Sequence, residues 1–247
     1  MQRLLFGSSI IRHIPPFLLG CHTKRSSTTC NLTQGLNQVS SFLDVGLSLV
    51  ITLYLCLPND YQLCFLEHVT VLIGIAVNET PVAGVIHQPF YKLENDGVRK
   101  TGRTIWGLQD VGVGGFVPCP PPSSLIITTT RSHSNPTVEK ALQAMNASQI
   151  LRVGGAGYKV LQLLEGKASV YLFASPGCKK WDTCAPEAVL RATGGVLSDV
   201  RGRTYRYGAA VPRPNAAGVL AAASPQLHAD ALQKIPVELK EKLAPET

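Results

Sequence analysis

Residues 174–195 read ASPGCKKWDTCAPEAVLRATGG, and the interpretation of the whole chain depends on this stretch. A β-rich apolar run at 169–174 leads into it and a Gly-Gly pair closes it, so the pattern predicts a strand followed by a helix. Asp182 lies at the junction of these two elements. In open α/β sheets, ligands bind where strands lead into helices, at the carboxyl ends of the strands.

Asp182 has two interpretations from the residues alone. It is a helix cap, since Asp is favoured at the N-cap, Pro186 would fall in the first turn and Glu187 would add a carboxylate near the positive helix end. Alternatively, it belongs to a metal or phosphate site, because Lys179 and Lys180 place cations beside its carboxylate. Both interpretations remain open at this point.

Composition narrows the class of protein. The 247 residues are 45% hydrophobic and 16% charged, which is typical of a folded chain. The net charge of +7 suits anionic ligands, but the basic residues are scattered, so we expect no nucleic-acid-binding face. The seven cysteines form no C-x-x-C pair, which argues against the common zinc sites and favours free thiols in a reducing compartment.

The first part of the chain differs in character from the rest. Residues 1–43 contain basic residues and no acid, which is typical either of a transit peptide or of an arbitrary leader. The apolar run at 42–57 is shorter than the ~20 residues that span a bilayer, so we expect a buried helix or strand and no membrane anchor.

We treat 1–67 as a partly disordered leader and 68–247 as the folded domain. We expect a cytoplasmic protein, with mitochondrial targeting by the leader as the alternative.

Antiparallel strands come first and an alternation of strands and helices follows. Strands are predicted at 69–77, 82–87, 103–106, 112–117, 125–130, 149–153, 169–174, 196–198 and 217–222. Residues 69–87 form a hairpin in this scheme, and a second hairpin is predicted through Arg201-Gly202. Helices are predicted from Asn135-Pro136, over 158–165, through Asp182 and from Ser224. This order favours an α/β layered fold built on a mixed sheet.

Two further strand-to-helix junctions carry groups that suit anions. The turn Gly154-Gly155-Ala156-Gly157 can present backbone N–H groups to an anion with Lys159 nearby, although a plain tight turn fits equally well. The polar segment 128–134 offers hydroxyls, the Arg131 guanidinium and the His133 imidazole, and the alternative is a polar loop with a helix cap. With the junction at Asp182, these segments suggest a phosphorylated small-molecule ligand.

Several blocks of sequence resemble a known family. Trp181-Asp182-x-x-Ala185 followed by Gly194-Gly195 resembles the C-terminal signature of the inositol monophosphatase superfamily of magnesium-dependent, lithium-sensitive phosphatases. Within it, the 3'(2'),5'-bisphosphate nucleotidases are the more similar group. The blocks that carry this likeness are 68–76, 102–107, 128–135, 152–157 and 173–187, so the resemblance extends from about residue 68 to the C-terminus.

The resemblance implies a fold, a reaction and a set of site residues. The fold is an α-β-α-β-α layered sandwich, and the reaction is hydrolysis of the 3'-phosphate of adenosine 3',5'-bisphosphate to give AMP. Asp182 would bind a catalytic Mg²⁺, while Thr130, His133, Gly155 and Lys159 would contact the nucleotide. Mg²⁺ binds carboxylate and phosphate oxygens, which agrees with this assignment. We further expect a monomer.

The chain also departs from the family. The Gly-Glu-Glu and Asp-Pro-Leu-Asp-Gly-Thr segments, which supply most metal ligands and a catalytic Thr in the family, do not occur in it. The acids within 1–67 are Asp44, Asp60 and Glu67, none in such a context. We therefore assign no catalytic residue, expect an incomplete N-terminal layer and impaired activity, and interpret the chain as a spliced or truncated form. The alternatives are a non-catalytic nucleotide-binding remnant and a targeted or membrane-associated form without enzymatic role.

Overall fold

The computed structural model describes residues 39–43, 47–53, 65–95 and 98–243, with side chains described for 65–92 and 102–243. Most of the predicted leader, including Asp44 and Asp60, lies outside the described residues. The predicted boundary between residues 67 and 68 stays a prediction.

A six-stranded antiparallel sheet forms the first half of the described chain. Its strands follow one another in chain order: β1 (Val39–Leu43), β2 (Leu47–Leu53), β3 (Val71–Val77), β4 (Thr80–Asn95), β5 (Val98–Leu108) and β6 (Gly112–Gly114). The predicted hairpin at 69–87 is confirmed, since β3 and β4 pair across Asn78-Glu79, both with positive φ. The apolar segment 42–57 contributes β2, which pairs with β3.

The second sheet is mixed, as predicted. It comprises β7 (Ile126–Thr130), β8 (Gln149–Val153), β9 (Val170–Phe173), β11 (Val196–Ser198) and β13 (Val219–Ala222), in the order β11-β13-β9-β7-β8. Strand β7 is parallel to both β8 and β9, whereas β13 is antiparallel to both β9 and β11. Two short strands, β10 (Cys178–Lys179) and β12 (Pro214–Asn215), form a separate ribbon.

Among the described residues, four helices begin within about two residues of the positions that local sequence predicts, and a fifth helix follows at the C-terminal end, where one terminal helix was predicted. They are α1 (Pro136–Met145), α2 (Ala156–Leu164), α3 (Lys180–Ala192), α4 (Pro225–Lys234) and α5 (Val237–Lys242). The side chain of Asn135 caps α1 by accepting from two backbone N–H groups, and that of Ser224 caps α4. The apolar positions that the 3.6-residue spacing assigns to the inner face of α1 are all buried.

Helices and sheets alternate in layers. Helix α3 packs on strands β2 to β5 and against α2, which contacts β7 and β9 of the mixed sheet. Helix α4 contacts β9, β11 and β13 of the mixed sheet as well as α1. The described residues therefore form layers in the order β-α-β-α, which are four of the five layers of an α-β-α-β-α sandwich, and the fold is α/β layered as predicted.

A row of three glycines allows α3 to approach the antiparallel sheet closely. Gly74, Gly84 and Gly107 pair directly with one another across β3, β4 and β5. A Cβ added at any of them would meet atoms of α3, and at Gly84 it would overlap the carbonyl oxygen of Ala185. Because a helix backbone in contact with a sheet leaves no room for side chains, glycine is required along this row.

Two local predictions were wrong. Pro186 lies inside α3, in its second turn, because the helix begins at Lys180, before Asp182, and not directly after an Asp182 cap. The chain turns at Arg201-Gly202, but no hairpin forms there, since β11 pairs instead with β13, about twenty residues further on.

Candidate functional site

The three predicted junctions meet at one edge of the mixed sheet. Because β7, β8 and β9 are parallel, their carboxyl ends lie on the same side, with Thr130 of β7 paired to Val153 of β8. The loop after β7 is tied to the loop after β9, since Asn135 Nδ2 donates to Ser175 Oγ at 2.8 Å. The tertiary structure therefore brings these loops together, as the position of ligand sites in α/β sheets predicts.

Lys159 is a buried cation at this edge, with 6% of its surface exposed. Its Nζ donates to the Gly155 carbonyl oxygen at 3.2 Å. Burial lowers the pKa of Lys159 to about 8, the nearby Cys178 and Asp182 oppose this shift, and Arg131 adds to it. Lys159 and Asp182 belong to separate segments of the sequence. In the structure they are close enough for their charges to interact.

Asp182 is the third residue of α3, so it is not the N-cap. Its Oδ2 accepts from the backbone N–H of Lys179 at 2.9 Å, which caps the first turn from inside the helix. Cys178 Sγ lies 3.8 Å from the same oxygen. Burial raises the pKa of Asp182, against the hydrogen bond from Lys179 and the charge of Lys159. The carboxylate therefore stabilises the helix and also faces the site.

Thr130, Gly155 and His133 differ in their surroundings. Thr130 is buried, and its Oγ1 accepts from the backbone N–H of His133 at 3.1 Å. Gly155 has φ +71°, and a Cβ there would lie 2.8 Å from the His68 carbonyl oxygen, so the position requires glycine. The His133 ring is exposed and contacts Ser132 Oγ at 3.0 Å. Thr130, Gly155 and Lys159 thus line one edge, and His133 lies on the exposed loop beyond it.

A stack of aromatic rings beside the glycine turn was not predicted. The ring centroids of His68 and Tyr158 are 4.1 Å apart, and those of Phe65 and His68 are 5.0 Å apart. The backbone N–H of Gly154 donates to His68 Nδ1 at 3.3 Å. Nothing local in the sequence indicates this stack, because Tyr158 is distant from the other two rings along the chain.

A buried polar network, also not predicted, fixes the first turns of α3. Asn215 Nδ2 donates to the Lys179 carbonyl oxygen at 3.1 Å and to Thr183 Oγ1 at 2.9 Å. The Tyr207 hydroxyl donates to Glu187 Oε2 at 2.5 Å and lies 3.1 Å from Thr183 Oγ1. Burial raises the pKa of Glu187 to about 7. The network therefore joins β12 and the segment around Tyr207 to the helix that carries Asp182.

The resemblance implies Mg²⁺, which the residues at this edge would have to bind. Among the described residues, no three or more His, Cys, Asp or Glu side chains come together as a potential metal site. Asp182 has Lys159 and the Cys178 thiol as its neighbours. Mg²⁺ binds several oxygen ligands in octahedral geometry. The described residues on their own therefore do not form a magnesium site.

The fold agrees with the comparisons to known proteins. The model of the inositol monophosphatase family matches residues 60–239, which is more than half of the chain. The chain therefore belongs to the inositol monophosphatase family. Its curated relatives at 53–54% identity are 3'(2'),5'-bisphosphate nucleotidases.

The match to these relatives covers only part of each relative's length. The 3'(2'),5'-bisphosphate nucleotidase 1 of Homo sapiens is 54% identical over 164 residues, which cover 66% of this chain and 53% of the relative. The protein of the same name from Dictyostelium discoideum is 41% identical over 152 residues, covering 56% and 48% of the two chains. The chain thus spans about half the length of the curated relatives that it matches.

Solved structures agree on the fold. An inositol monophosphatase from Staphylococcus aureus superposes with a TM-score of 0.59 at 16% identity, covering 81% of this chain and 72% of that one. CysQ from Bacteroides thetaiotaomicron gives a TM-score of 0.52 at 20% identity, covering 67% and 66% of the two chains.

None of the described helices combines the length and the apolar character needed to cross a membrane.

Proposed function

We propose that this chain recognises adenosine 3',5'-bisphosphate and AMP as the nucleotide-binding part of a 3'(2'),5'-bisphosphate nucleotidase. The reaction is hydrolysis of the 3'-phosphate, in which water and adenosine 3',5'-bisphosphate give AMP and inorganic phosphate. Thr130, His133, Gly155 and Lys159 contact the nucleotide in this proposal. Asp182 would be one ligand of a Mg²⁺ ion, whose other ligands the described residues do not supply.

The proposal is carried by the convergence of Lys159, Gly155, Thr130 and Asp182 at one edge of the mixed sheet. A buried ammonium group has lost most of its water, so an anion that reaches it gains a strong charge-assisted hydrogen bond. The backbone N–H groups at the start of α2 favour negative charge at the same place. A phosphate group supplies this charge and several acceptor oxygens. The 53–54% identity to bisphosphate nucleotidases supports a nucleotide as the bearer of that phosphate.

Phosphate release from adenosine 3',5'-bisphosphate in the presence of Mg²⁺ tests the reaction. Replacing Asp182 by alanine is expected to lower the release to about a tenth or less, because the carboxylate would help to hold the Mg²⁺ ion, and the ion would offset the negative charge of the phosphate. Asp230→Ala is the matched control, since Asp230 is exposed on α4 and hydrogen-bonds Gln226. Release by the unaltered chain that does not exceed release by the Asp182→Ala protein would reject hydrolysis for this chain.

Nucleotide binding without hydrolysis is the second candidate. Among the described residues, no three His, Cys, Asp or Glu side chains come together around Asp182, whereas Mg²⁺ needs several oxygen ligands. This shortage of ligands favours binding without hydrolysis. Measurable AMP affinity together with the absence of phosphate release would select it.

Calorimetric titration with AMP tests the binding step that both candidates share. Lys159→Met is expected to weaken AMP binding by about tenfold to a hundredfold, the range for losing one hydrogen bond between charged groups. Lys167→Met is the control, because Lys167 pairs with Glu165 through an exposed side chain. If AMP at millimolar concentration produces no heat with the unaltered chain, neither candidate holds.

A further inference from the structure

Arg131 lies over the glycine turn, although the resemblance assigns it no role. It follows Thr130 directly at the end of β7. Its guanidinium carbon is 4.5 Å from the centroid of the Phe65 ring. A Cβ added at Gly154 would come within 3.6 Å of Arg131 Nη2. The guanidinium is therefore held beside the backbone of the turn that leads into α2.

Arg131 and Lys159 place two cations around the same turn. Their mutual repulsion is one of the reasons why the pKa of Lys159 is lowered. Bringing like charges together in a partly buried site costs free energy, and an anion bound between them recovers that cost. Asp182 carries a negative charge and therefore opposes the shift that Arg131 promotes.

Phe65 holds the guanidinium of Arg131 through a cation–π contact. A ring that packs on the face of a guanidinium contacts it through the cation–π interaction, whereas the N–H donors lie in the plane and point sideways. Phe65 is itself stacked on His68, and Gly154 donates to His68. The Arg131 guanidinium and the glycine turn are thus positioned by one continuous set of contacts. A planar fork that is held in place is suited to phosphate, which it binds through two parallel hydrogen bonds.

We propose that Arg131 is a phosphate-binding residue, which holds a phosphate group of the nucleotide at the Gly154-Gly155 turn together with Lys159, and that Phe65 is its positioning residue. This inference rests on the proposed function and extends it, because it makes a phosphate group, and not the base, the part of the ligand that Arg131 recognises.

Calorimetry on the full chain with three ligands tests the inference: AMP, adenosine and inorganic pyrophosphate. Arg131→Gln is expected to weaken AMP binding by about tenfold to a hundredfold and to leave adenosine binding unchanged, because only AMP offers a phosphate. Arg131→Lys keeps the charge but loses the fork, so it is expected to lie between Arg131→Gln and the unaltered chain. Phe65→Leu keeps Arg131 itself and is expected to weaken AMP binding by about twofold to fivefold.

Arg152→Gln is the matched control, because Arg152 is an exposed arginine of β8 that pairs with Glu139. It is expected to bind AMP as the unaltered chain does. Thermal melting verifies that each variant is folded, and Arg131→Lys serves as the test if Arg131→Gln is not.

The outcomes separate this inference from the proposed function. Unchanged AMP affinity in a folded Arg131→Gln protein overturns the role of Arg131 and leaves the proposed function intact. An equal loss of AMP and adenosine binding also overturns it, since a structural defect would act on both. If the unaltered chain binds pyrophosphate through Arg131 but binds no adenosine nucleotide, the nucleotide assignment fails and the phosphate-binding role stands. Binding of none of the three ligands overturns both.

Discussion

Replacing Gly84 by alanine is expected to lower the free energy of unfolding by about 3 kcal/mol or more, at the upper end of the range for overpacking. The added methyl group would overlap the carbonyl oxygen of Ala185 and come within 3.0 Å of its Cα. These are backbone atoms of α3, so they yield only if the helix moves away from the sheet. Urea denaturation followed by circular dichroism measures the change.

Gly154→Ala is the control for this prediction. The atoms nearest to a Cβ at Gly154 are 3.6 to 3.8 Å away, and its φ is outside the left-handed region. Alanine is therefore expected to change the stability there by less than about 1 kcal/mol, mainly by restricting the unfolded chain. If Gly84→Ala and Gly154→Ala unfold at the same urea concentration, α3 does not approach the sheet as closely as the glycine row indicates.

Replacing Glu187 by glutamine is expected to stabilise the protein above pH 7 and to flatten the dependence of its stability on pH. Burial raises the pKa of Glu187 from 4.5 to about 7. Between these two values the folded state keeps the proton and the unfolded state has released it, so the free energy of unfolding falls as the pH rises. The raised pKa corresponds to a loss of roughly 3 kcal/mol that is complete above pH 7.

Urea titrations at pH 5, 6, 7 and 8 measure this effect. Glutamine cannot ionise, so the variant and the unaltered chain are expected to agree at pH 5 and to diverge toward pH 8. The groups that face Glu187 are Tyr207, Arg191 and Lys180, and their hydrogen bonds and charges reduce the shift without cancelling it. Parallel stability curves for the two proteins would show that Glu187 is not the group that takes up the proton.

Glu139→Gln is the matched control. Hydrogen bonds from Ser134 and Arg152 lower the pKa of Glu139, which is on the exposed face of α1. Its contribution to stability is present above the unfolded pKa and lost as the pH falls, which is the opposite sign to that of Glu187. The Glu139→Gln protein is therefore expected to lose stability between pH 5 and pH 7 as the unaltered chain does.

The elements with strong local signals were predictable. Asn135 followed by Pro136 marks the start of α1, and the spacing of Val138, Leu142 and Met145 places its inner face, as the structure confirms. The capping side chain and the apolar stripe act within a few residues of each other, so the sequence contains all the information that they need.

The two wrong predictions share a non-local cause. Helix α3 begins at Lys180, whose backbone N–H donates to the carbonyl oxygen of Arg213, and the adjacent ribbon of β10 and β12 holds this end of the helix. Pro186 consequently falls in the second turn, where it has no N–H for the carbonyl of Asp182. In the same way, β11 finds its partner in β13 and not across Arg201-Gly202. Strand pairing between distant segments overrides the preference of a short turn.

The residues of the candidate site also fall into two groups: those that the sequence predicts and those that only the tertiary structure brings to the site. From the sequence by itself, Asp182, Lys159, Gly155 and Thr130 stand out, because each lies at a strand-to-helix junction and because the blocks around them resemble one family. Their position at a common edge follows from the parallel arrangement of β7, β8 and β9.

Only the tertiary structure decided which other residues belong to this edge. Phe65 reaches Arg131, and His68 reaches Gly154 across a separation of 86 residues. The glycine row likewise depends on a helix that begins more than seventy residues after Gly107. Local sequence determines which segments become strands, helices and caps, since those choices rest on neighbours in the chain. Contacts between segments that are distant in sequence form only when the sheets and helices pack, so side-chain stacking and close backbone approach are properties of the fold.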